Sequence, residues 1–340
     1  MIEVKNVDHW ILKEAYNYYK CVGFPFVSLT PHELLVDFKK LLESKPVITK
    51  RYDYKGRLFY SVGTGLAGIE FCKHFMPHQY TVKVFGSMGS PVDAFSKRRL
   101  LRKSIRMAYQ YSGKITNTSV RSYLSRIEWH QFATNFRPAA AKAIYERYLR
   151  NGSVAYDFCA GFGGRLSGFL ASKYARTSKY IGVDPSTPAV DGLNNMIGFL
   201  HAKNKAVIHK TIAEAFCPNE LHSTIDLAFS SPPYFCKELY SEDNEQSFKK
   251  YPTYDMWRIF FLRKTIKNCY KLLKSGGYFI INIADINIKG KNYPCGRDAE
   301  RFGTKIFGNL KEILALPMNS LFGCEDTPKK MEKIYVFQKV

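Results

Sequence analysis

The turn Ser231-Pro232-Pro233-Tyr234 constrains the fold of this chain more than any other stretch. It follows the apolar run 225–229, which is too short for a helix and predicts a buried strand. Because two prolines cannot continue a sheet, the strand must end there and the chain must turn outward. The turn therefore places a hydroxyl, a carbonyl and an aromatic ring at the carboxyl end of a strand, where open α/β sheets bind ligands.

This set of groups suits a flat heterocycle that carries an exocyclic amine. The oxygens of Ser231 and Pro232 can accept hydrogen bonds from the amine, while the ring of Tyr234 stacks on the heterocycle. A plain proline turn with a core tyrosine is the alternative interpretation.

Strand and helix patterns alternate on both sides of the turn. We predict strands at 154–158, 180–183, 206–211, 225–229 and 278–283, with helices at 139–148, 166–174, 189–202 and 254–273. The triplet 275–277, Ser-Gly-Gly, is expected to end the last helix. This alternation predicts an α/β fold with a Rossmann-like, doubly wound, mostly parallel sheet.

A glycine-rich loop, Cys159-Ala160-Gly161-Phe162-Gly163, follows the first of these strands. Such a turn lets backbone approach a ligand and aims amides at an anionic group, although many α/β proteins use one for packing alone. Roughly twenty residues later the second strand ends in Asp184, where an acidic side chain takes the ribose hydroxyls of a nucleoside-containing cofactor. A helix cap before Pro185 is the alternative role for Asp184.

From about residue 132 to its end, the chain resembles the S-adenosylmethionine-dependent DNA amino-methyltransferases. That family has a glycine loop after strand one, an acid after strand two and [DNS]-P-P-[YFW] after strand four, which appear here as CAGFG, Asp184 and SPPY. The closing segment 333–338 is similar to the family's last antiparallel strand. The resemblance implies a class I methyltransferase fold, S-adenosyl-L-methionine as cofactor, and direct attack on its methyl group by the amine of a flipped-out base.

The resemblance also implies a set of site residues. The catalytic residues would be Ser231, Pro232, Pro233 and Tyr234. The cofactor-binding residues would be Asp157, Phe158, Cys159, Ala160, Gly161, Gly163, Asp184, Pro185, Glu214, Ser230, Asn135 and Pro138. Phenylalanine is usual in the family where this chain has Cys159, so Phe158 and Phe162 are expected to cover the methionine moiety instead. Asn135 and Pro138 either help to close the cofactor pocket or simply begin a helix.

The modified base stays open between cytosine N4 and adenine N6. SPPY is most familiar from cytosine-N4 enzymes, whereas a cofactor loop that precedes the motif is found in several adenine-N6 enzymes. The string DFCAGFGGR is also similar to the loop of cytosine-C5 enzymes, but those need a Pro-Cys thiolate after strand four. Here Pro-Pro-Tyr holds that place and the only Pro-Cys pair is Pro294-Cys295, so C5 chemistry is not expected.

The charge of the chain indicates a polyanionic partner. The net charge is +22, and residues 1–150 hold 25 basic and 11 acidic side chains, which is +14 of that total. We expect residues 1–130 to form a basic N-terminal α+β extension for nucleic-acid recognition, with short strands at 57–63 and 80–86, and residues 131–340 to form the catalytic domain. One cationic helix face is expected to hold phosphates, with a merely solvated face as the alternative; its members are Lys97, Arg98, Arg99, Arg102, Lys103 and Arg106.

The sequence also lacks several features, and their absence limits the functions that we expect. The eight cysteines form no C-x-x-C pair and no zinc-ligand spacing, so free thiols and no metal are expected. No apolar stretch reaches transmembrane length, which predicts a cytoplasmic protein, associated with the nucleoid in a bacterial or phage setting. DNA is the expected partner and restriction–modification the implied context. An RNA base methyltransferase and an inert nucleic-acid-binding subunit with the same fold are the alternatives.

Overall fold

The computed structural model describes residues 9–52, 56, 58–240, 243–317 and 331–340. The strands are β1 Ile48–Tyr52, β2 Leu58–Val62, β3 Lys83–Val84, β4 Val154–Asp157, β5 Lys179–Asp184, β6 Ala206–Lys210, β7 Ile225–Ser230, β8 Glu238–Leu239, β9 Leu273–Asn282, β10 Ile286–Ile288, β11 Lys291–Tyr293, β12 Leu310–Pro317 and β13 Met331–Gln338.

The α-helices are α1 His9–Val22, α2 Pro31–Glu43, α3 Ile69–Phe75, α4 Pro91–Ser96, α5 Arg98–Ser112, α6 Asn117–Leu124, α7 Pro138–Tyr148, α8 Gly164–Leu170, α9 Thr187–Phe199, α10 Ser247–Lys250, α11 Tyr254–Met256, α12 Lys264–Leu272 and α13 Cys295–Phe307. A π-helical segment, Trp257–Arg263, joins α11 to α12, and short 3₁₀ segments lie at Pro77–Thr81, Ile127–Trp129 and Asn219–Leu221.

Nine strands form one sheet in the order β1-β2-β12-β13-β9-β7-β4-β5-β6. The five strands from β9 to β6 run parallel, and β13 is antiparallel to both β9 and β12. Five parallel strands joined through helices are the doubly wound arrangement, so the predicted fold class is confirmed. The antiparallel strand predicted at 333–338 is β13.

The contacts divide the chain into two units that differ from the predicted domains. The smaller unit draws on residues 1–28, 77–134 and 238–241, and the larger unit on 29–76, 135–237 and 242–340. Residues 29–76 therefore belong with the sheet, because the β1–β2 hairpin extends it through parallel pairing of Tyr60 with Leu314. The smaller unit interrupts the larger one in sequence.

The segment 29–76 is also held to the larger unit by one lysine. Lys142 of α7 is 5% exposed, and its ammonium donates to the carbonyls of Leu41, Leu42 and Ser44 at 3.1, 2.7 and 2.6 Å. These carbonyls lie at the carboxyl end of α2, where backbone acceptors have no partner within the helix. Lys142 therefore ends α2 from a helix that is distant in sequence.

The smaller unit is mainly helical. Its core includes the inner faces of α5 and α6, with Leu101, Ile105 and Leu124 fully or almost fully buried. Residues 80–86 were predicted as a strand, but only β3 is extended and pairs with β8, because Pro77–Thr81 forms a 3₁₀ turn.

Three other boundaries differ from the prediction. The helices predicted at 166–174 and 189–202 end earlier, at Leu170 and Phe199. The 254–273 helix ends at Leu272, and 275–277 lie inside β9, where Gly276 takes a φ of 79° and its amide donates to the Lys339 carbonyl at 2.7 Å. Pairing with the last strand therefore overrides the helix-stop signal. Among the described residues, no helix combines the length and apolarity needed to span a membrane.

Candidate active site

The direction in which strands are added to the sheet reverses at β4. β5 and β6 lie on one side of this strand, while β7 and β9 lie on the other. Open α/β sheets bind ligands in the crevice beyond the carboxyl ends of the strands at such a point. Because β4 and β7 are parallel neighbours, the glycine loop after β4 and the 231–234 turn after β7 leave from the same edge of the sheet.

Asp157, the last residue of β4, is the anchor of this edge. It is 0% exposed, and its carboxylate accepts from Arg165 Nε at 2.8 Å, the Tyr180 hydroxyl at 2.7 Å and the Ser230 hydroxyl at 2.7 Å. These donors come from α8, β5 and β7, so one carboxylate ties the helix to three adjacent strands. Asp157 was predicted to bind the cofactor; in the structure it has no exposed surface, and its carboxylate binds protein groups.

Two of these donors, Tyr180 and Arg165, are buried together with the carboxylate that they bind. Burial, reinforced by the charge of Asp157, raises the pKa of Tyr180 well above 10, so its hydroxyl remains a donor. Arg165 is 5% exposed, and its second guanidinium nitrogen donates to the Cys159 carbonyl inside the glycine loop. The Asp157–Arg165 pair therefore fixes the backbone of the loop as well as the strand below it.

Four backbone amides in and just after the glycine loop have acceptors within the protein. The Cys159 amide donates to the Ser230 hydroxyl at 3.1 Å, and the Ala160 amide donates to the Val183 carbonyl at 2.9 Å. The Gly161 amide donates to the Asp184 carboxylate at 2.9 Å, and the Gly164 amide donates to the side-chain oxygen of Asn135 at 3.3 Å. These four amides are therefore not aimed at a ligand, contrary to the expectation from the glycine pattern. The pattern has a conformational cause, since Gly161 and Gly163 take φ values of 55° and 77°.

The side chains of this loop divide between core and surface. Phe158 is 1% exposed and stacks on Phe279 with ring centroids 5.7 Å apart, so its ring is part of the core, and its predicted contact with the cofactor stays a prediction. Ala160 is equally buried, whereas Cys159 is half-buried. Gly163 is crowded, because an added Cβ would lie 2.7 Å from the sulfur of Met196.

Asp184 lies beside the loop, at the carboxyl end of β5. Its two carboxylate oxygens accept from the amides of Gly161 at 2.9 Å and Ser186 at 3.0 Å. Each oxygen keeps one further lone pair. Burial raises the pKa of Asp184 to about 6, and the two amide hydrogen bonds oppose that rise. Pro185, which follows it, is half-buried.

Asn135 and Pro138 support the loop and the helix that follows it. The Asn135 amide nitrogen donates to the Phe162 carbonyl at 2.8 Å, and its oxygen accepts from Gly164. Pro138 is the buried first residue of α7, and a Cβ on Gly168 would lie 2.6 Å from its carbonyl oxygen. Asn135 therefore braces the loop, and Pro138 packs α7 against α8.

Glu214 follows β6 and is 7% exposed. Its carboxylate accepts from the Tyr251 hydroxyl at 3.2 Å, and its backbone carbonyl accepts from Asn268 at 2.9 Å. Burial raises its pKa. These hydrogen bonds join Glu214 to the segment after the turn rather than to the glycine loop.

The 231–234 turn directs its tyrosine inward. Tyr234 is 8% exposed, and its hydroxyl lies 3.4 Å from the Ser231 hydroxyl and contacts Asn282 and the Glu332 carboxylate. The Lys237 ammonium lies 5.1 Å from the centre of its ring. The turn is therefore coupled to β9 and β13 through a single phenol.

Sequence reasoning missed Arg165, Tyr180, Asn282 and Glu332. A lone arginine in the apolar segment Gly164–Leu170 was a usable signal, because a charge in a buried helix requires a partner. Glu332 gave no such signal, since it is brought to Tyr234 only by the antiparallel pairing of β13 with β9.

Five members of the predicted cationic face lie on α5, in the smaller unit, and Lys97 is the residue that precedes the helix; all six are exposed. Glu128 pairs with Arg99 at 2.5 Å and with Lys103 at 3.2 Å. The Arg102 guanidinium lies 4.8 Å from the ring centre of Tyr16, and the Lys97 ammonium lies 3.4 Å from the His130 ring. Arg98 and Arg106 are the two members whose charges have no partner among the described residues.

Residues 225–339 match the family model described as DNA methylase. The resemblance to DNA amino-methyltransferases is confirmed over this segment. It runs from β7 through the 231–234 turn to the end of β13, and so includes Asn282 and Glu332. The match supports a methyltransferase activity with S-adenosyl-L-methionine as cofactor. No curated protein sequence matches the chain significantly.

Solved methyltransferase structures align at low identity. An S-adenosylmethionine-dependent O-methyltransferase from Thermotoga maritima is 14% identical over 61% of this chain and 67% of its own, with a TM-score of 0.41. TrmN from Thermus thermophilus is 12% identical over 60% of this chain and 49% of its own, at 0.41. A geranyl diphosphate methyltransferase solved with S-adenosylmethionine is 12% identical over 66% and 90%, at 0.41. The fold class rests on the strand order itself. Within the described ranges, no cluster of three or more His, Cys, Asp or Glu side chains is arranged to hold a metal ion.

The Asp157 anchor leads to a prediction about stability. Asp157→Ala leaves the Arg165 charge buried without its partner, which should lower the free energy of unfolding by roughly 3–5 kcal/mol in chemical denaturation. The matched control is Asp255→Ala, which removes an ion pair whose aspartate is 80% exposed and should cost at most about 1 kcal/mol. Equal losses for the two variants would contradict the anchor role.

Proposed function

We propose that this protein transfers a methyl group from S-adenosylmethionine to the exocyclic amine of a base in DNA. The observation that carries the proposal is that the 231–234 turn leaves the sheet beside the glycine loop, within a segment that matches a DNA methylase model. One edge of the sheet then offers a cofactor site and an amine-accepting turn on adjacent strands.

The residues around the loop fit the cofactor. Asp184 is 9% exposed and keeps a free lone pair on each carboxylate oxygen, which suits the two hydroxyls of a ribose. Asn135 and Arg165 hold the loop beside it in a fixed shape. When bound, S-adenosylmethionine supplies an electrophilic methyl group on a positively charged sulfur.

The residues of the turn act on the base. The lone pair of an exocyclic amine is delocalised into the ring, so the amine is a poor nucleophile until its geometry becomes more tetrahedral. The Ser231 hydroxyl and the Pro232 carbonyl would each accept a hydrogen bond from one amine N–H and favour that geometry. Positioning of this kind supplies most of the rate when the leaving group is good. Tyr234 would contact the flipped base through its ring, with Lys237 near the same ring.

The methylated amine must then lose a proton, and a hydrogen-bonded chain offers a path. The Ser231 hydroxyl lies 3.4 Å from the Tyr234 hydroxyl, which in turn donates to Glu332. As the amine N–H bond breaks, Ser231 accepts the proton and passes its own to Tyr234. The Tyr234 proton moves to the Glu332 carboxylate, which becomes neutral. Glu332 is therefore the proposed final acceptor.

Cytosine N4 is the leading candidate for the modified position. The order of motifs favours adenine N6, but the serine of the turn favours cytosine, and the turn is the part that would touch the base. The exposed cations Arg98, Arg102 and Arg106 on α5 are proposed to contact the DNA phosphates.

Mass spectrometry of nucleosides tests the function directly. DNA and RNA are incubated separately with the protein and with cofactor that carries an isotope-labelled methyl group, and are then digested. We expect labelled N4-methylcytosine or N6-methyladenine from DNA, which differ in mass and retention. Label only in RNA would move the substrate to RNA, 5-methylcytosine would contradict the mechanism, and the absence of label in both would support an inert subunit.

Cofactor binding should depend on pH through Asp184. The carboxylate must be ionised to accept hydrogen bonds from both ribose hydroxyls, and burial raises its pKa from 3.8 to about 6. As the pH falls through about 6, Asp184 gains a proton and the affinity for S-adenosylmethionine should fall. Calorimetry between pH 7.5 and 5 measures this change, and Asp184→Asn should bind more weakly with a flat profile. An equally steep profile in the variant would assign the titration to another group.

The proposed proton path predicts a selective loss of turnover. Glu332→Gln keeps the size of the side chain but cannot accept the proton, so kcat should fall while cofactor affinity and the KM for DNA stay near wild type. Tyr234→Phe should act similarly, and the double variant should be little worse than either single one, since residues that act as a unit are not additive. The control is Glu312→Gln, a carboxylate on β12 that accepts from the Tyr148 hydroxyl at 2.7 Å, away from the turn. Wild-type kcat in Glu332→Gln would remove Glu332 from the mechanism.

A further inference from the structure

Two consecutive residues in the smaller unit, Glu128 and Trp129, adopt left-handed backbone. Their φ values are 48° and 63°, and neither is a glycine. Side chains with a Cβ rarely adopt this conformation, and for a bulky residue it is a genuine outlier. Such strain persists only where the surroundings over-determine it, and it concentrates at functional sites.

The residues on both sides of the strained turn are buried, and backbone hydrogen bonds hold the turn in place. Ile127 and His130, which flank it, are 5% and 2% exposed. The His130 amide donates to the Ile127 carbonyl at 3.0 Å, and the Met88 amide donates to the Trp129 carbonyl at 3.2 Å. The backbone of Trp129 is therefore rigid although its side chain is free.

Two cations of helix α5 bind the glutamate of the same turn. Arg99 donates to both oxygens of Glu128, at 2.7 and 2.5 Å, and Lys103 donates to one of them at 3.2 Å. A bidentate arginine pair fixes orientation as well as distance. Two of the six cations predicted to hold phosphates thus act as a clamp on the turn, because Glu128 already neutralises part of their charge.

The result of this bracing is an indole held out into solvent. Trp129 is 78% exposed, and Met88, whose amide binds its carbonyl, is 64% exposed. Tryptophan is normally well buried, as Trp257 is at 0%. A large ring on a rigid, strained support, next to a helix whose remaining cations face solvent, has the composition of a base-stacking site: aromatic face plus phosphate-binding charge.

We propose that Trp129 stacks on an unpaired base of bound DNA, while Arg98, Arg102 and Arg106 of α5 contact neighbouring phosphates. The inference rests on DNA as the partner under the proposed function, and adds the residue that contacts a base outside the catalytic turn. Stacking tolerates any sequence, because every base has a π-face.

The test compares binding of labelled duplex DNA with one unpaired base, and of the fully paired duplex, over a range of salt concentrations. Trp129→Ala should weaken binding to the first duplex by about 5- to 150-fold, which corresponds to roughly 1–3 kcal/mol for one stacked base. The slope of the logarithm of the binding constant against the logarithm of the salt concentration should not change. Arg98→Ala/Arg106→Ala should instead lower that slope by about 0.9 for each phosphate that the variant no longer neutralises.

The chain supplies a matched control in Trp10, which lies in α1 of the same unit and is 66% exposed on regular helix. Trp10→Ala should bind as wild type does. In a Trp10→Phe background, DNA should quench the fluorescence of Trp129 over the constant signal of buried Trp257. This measurement needs no change at the turn, so it decides the matter even if Trp129→Ala alters the local fold.

Three outcomes would overturn the proposal. They are wild-type affinity in a folded Trp129→Ala variant, unquenched Trp129 in the DNA complex, and a Trp129 signal that responds to anionic lipid vesicles but not to DNA. The methylation assay separates this inference from the proposed function. If DNA quenches Trp129 but no nucleoside is labelled, Trp129 contacts DNA and the proposed methyltransferase activity is refuted. If DNA is labelled but the fluorescence of Trp129 does not change, the activity stands and the stacking role of Trp129 is refuted.

Discussion

The buried carboxylate of Asp157 is the interaction on which the candidate site depends. It accepts hydrogen bonds from α8, β5 and β7 at the end of β4, and its partner Arg165 extends the network into the glycine loop. A buried charge is tolerable only when its partners are complete, so the loop cannot shift without exposing an unpaired ion. The shape of the glycine loop is therefore set by a carboxylate that has no exposed surface.

A second network fixes the 231–234 turn by different means. Tyr234 connects the Ser231 turn to Asn282 of β9 and Glu332 of β13, whereas Asp157 connects the loop to β5 and β7. Each side of the site is thus tied to its own set of strands, and β7 contributes to both through Ser230 and the turn that follows. Under the proposed function, the methyl donor and the amine would lie on these adjacent loops, and β7 would fix the position of one relative to the other.

The sequence predicted the parts of this arrangement that have a local sequence pattern, and it missed the parts that depend on contacts between residues distant in sequence. The parallel strands, the 231–234 turn and Asp184 each carried a short-range pattern, and all three are found at one edge of the sheet. The burial of Phe158 was not expected, because its neighbourhood in sequence does not reveal the stack on Phe279. Glu332 was missed because 98 residues separate it from Tyr234. The sheet edge at residues 48–62 was assigned to another domain, because pairing of Tyr60 with Leu314 leaves no local trace.

That same pairing bears on how the chain can fold during synthesis. Strand β2 is complete after residue 62, but its partner β12 begins at Leu310, and residues 77–134 and 238–241 of the smaller unit are translated in between. Contacts of such long sequence separation form late and slow the folding of the domain. Until then β2 presents an unpaired edge, the kind of surface that invites aggregation. On the other side of the hairpin, β1 stays the outer strand of the finished sheet, and the charges of Lys50 and Arg51 on this strand oppose pairing with another chain there. Residues far from the chemistry thus govern how much of the protein reaches its native state.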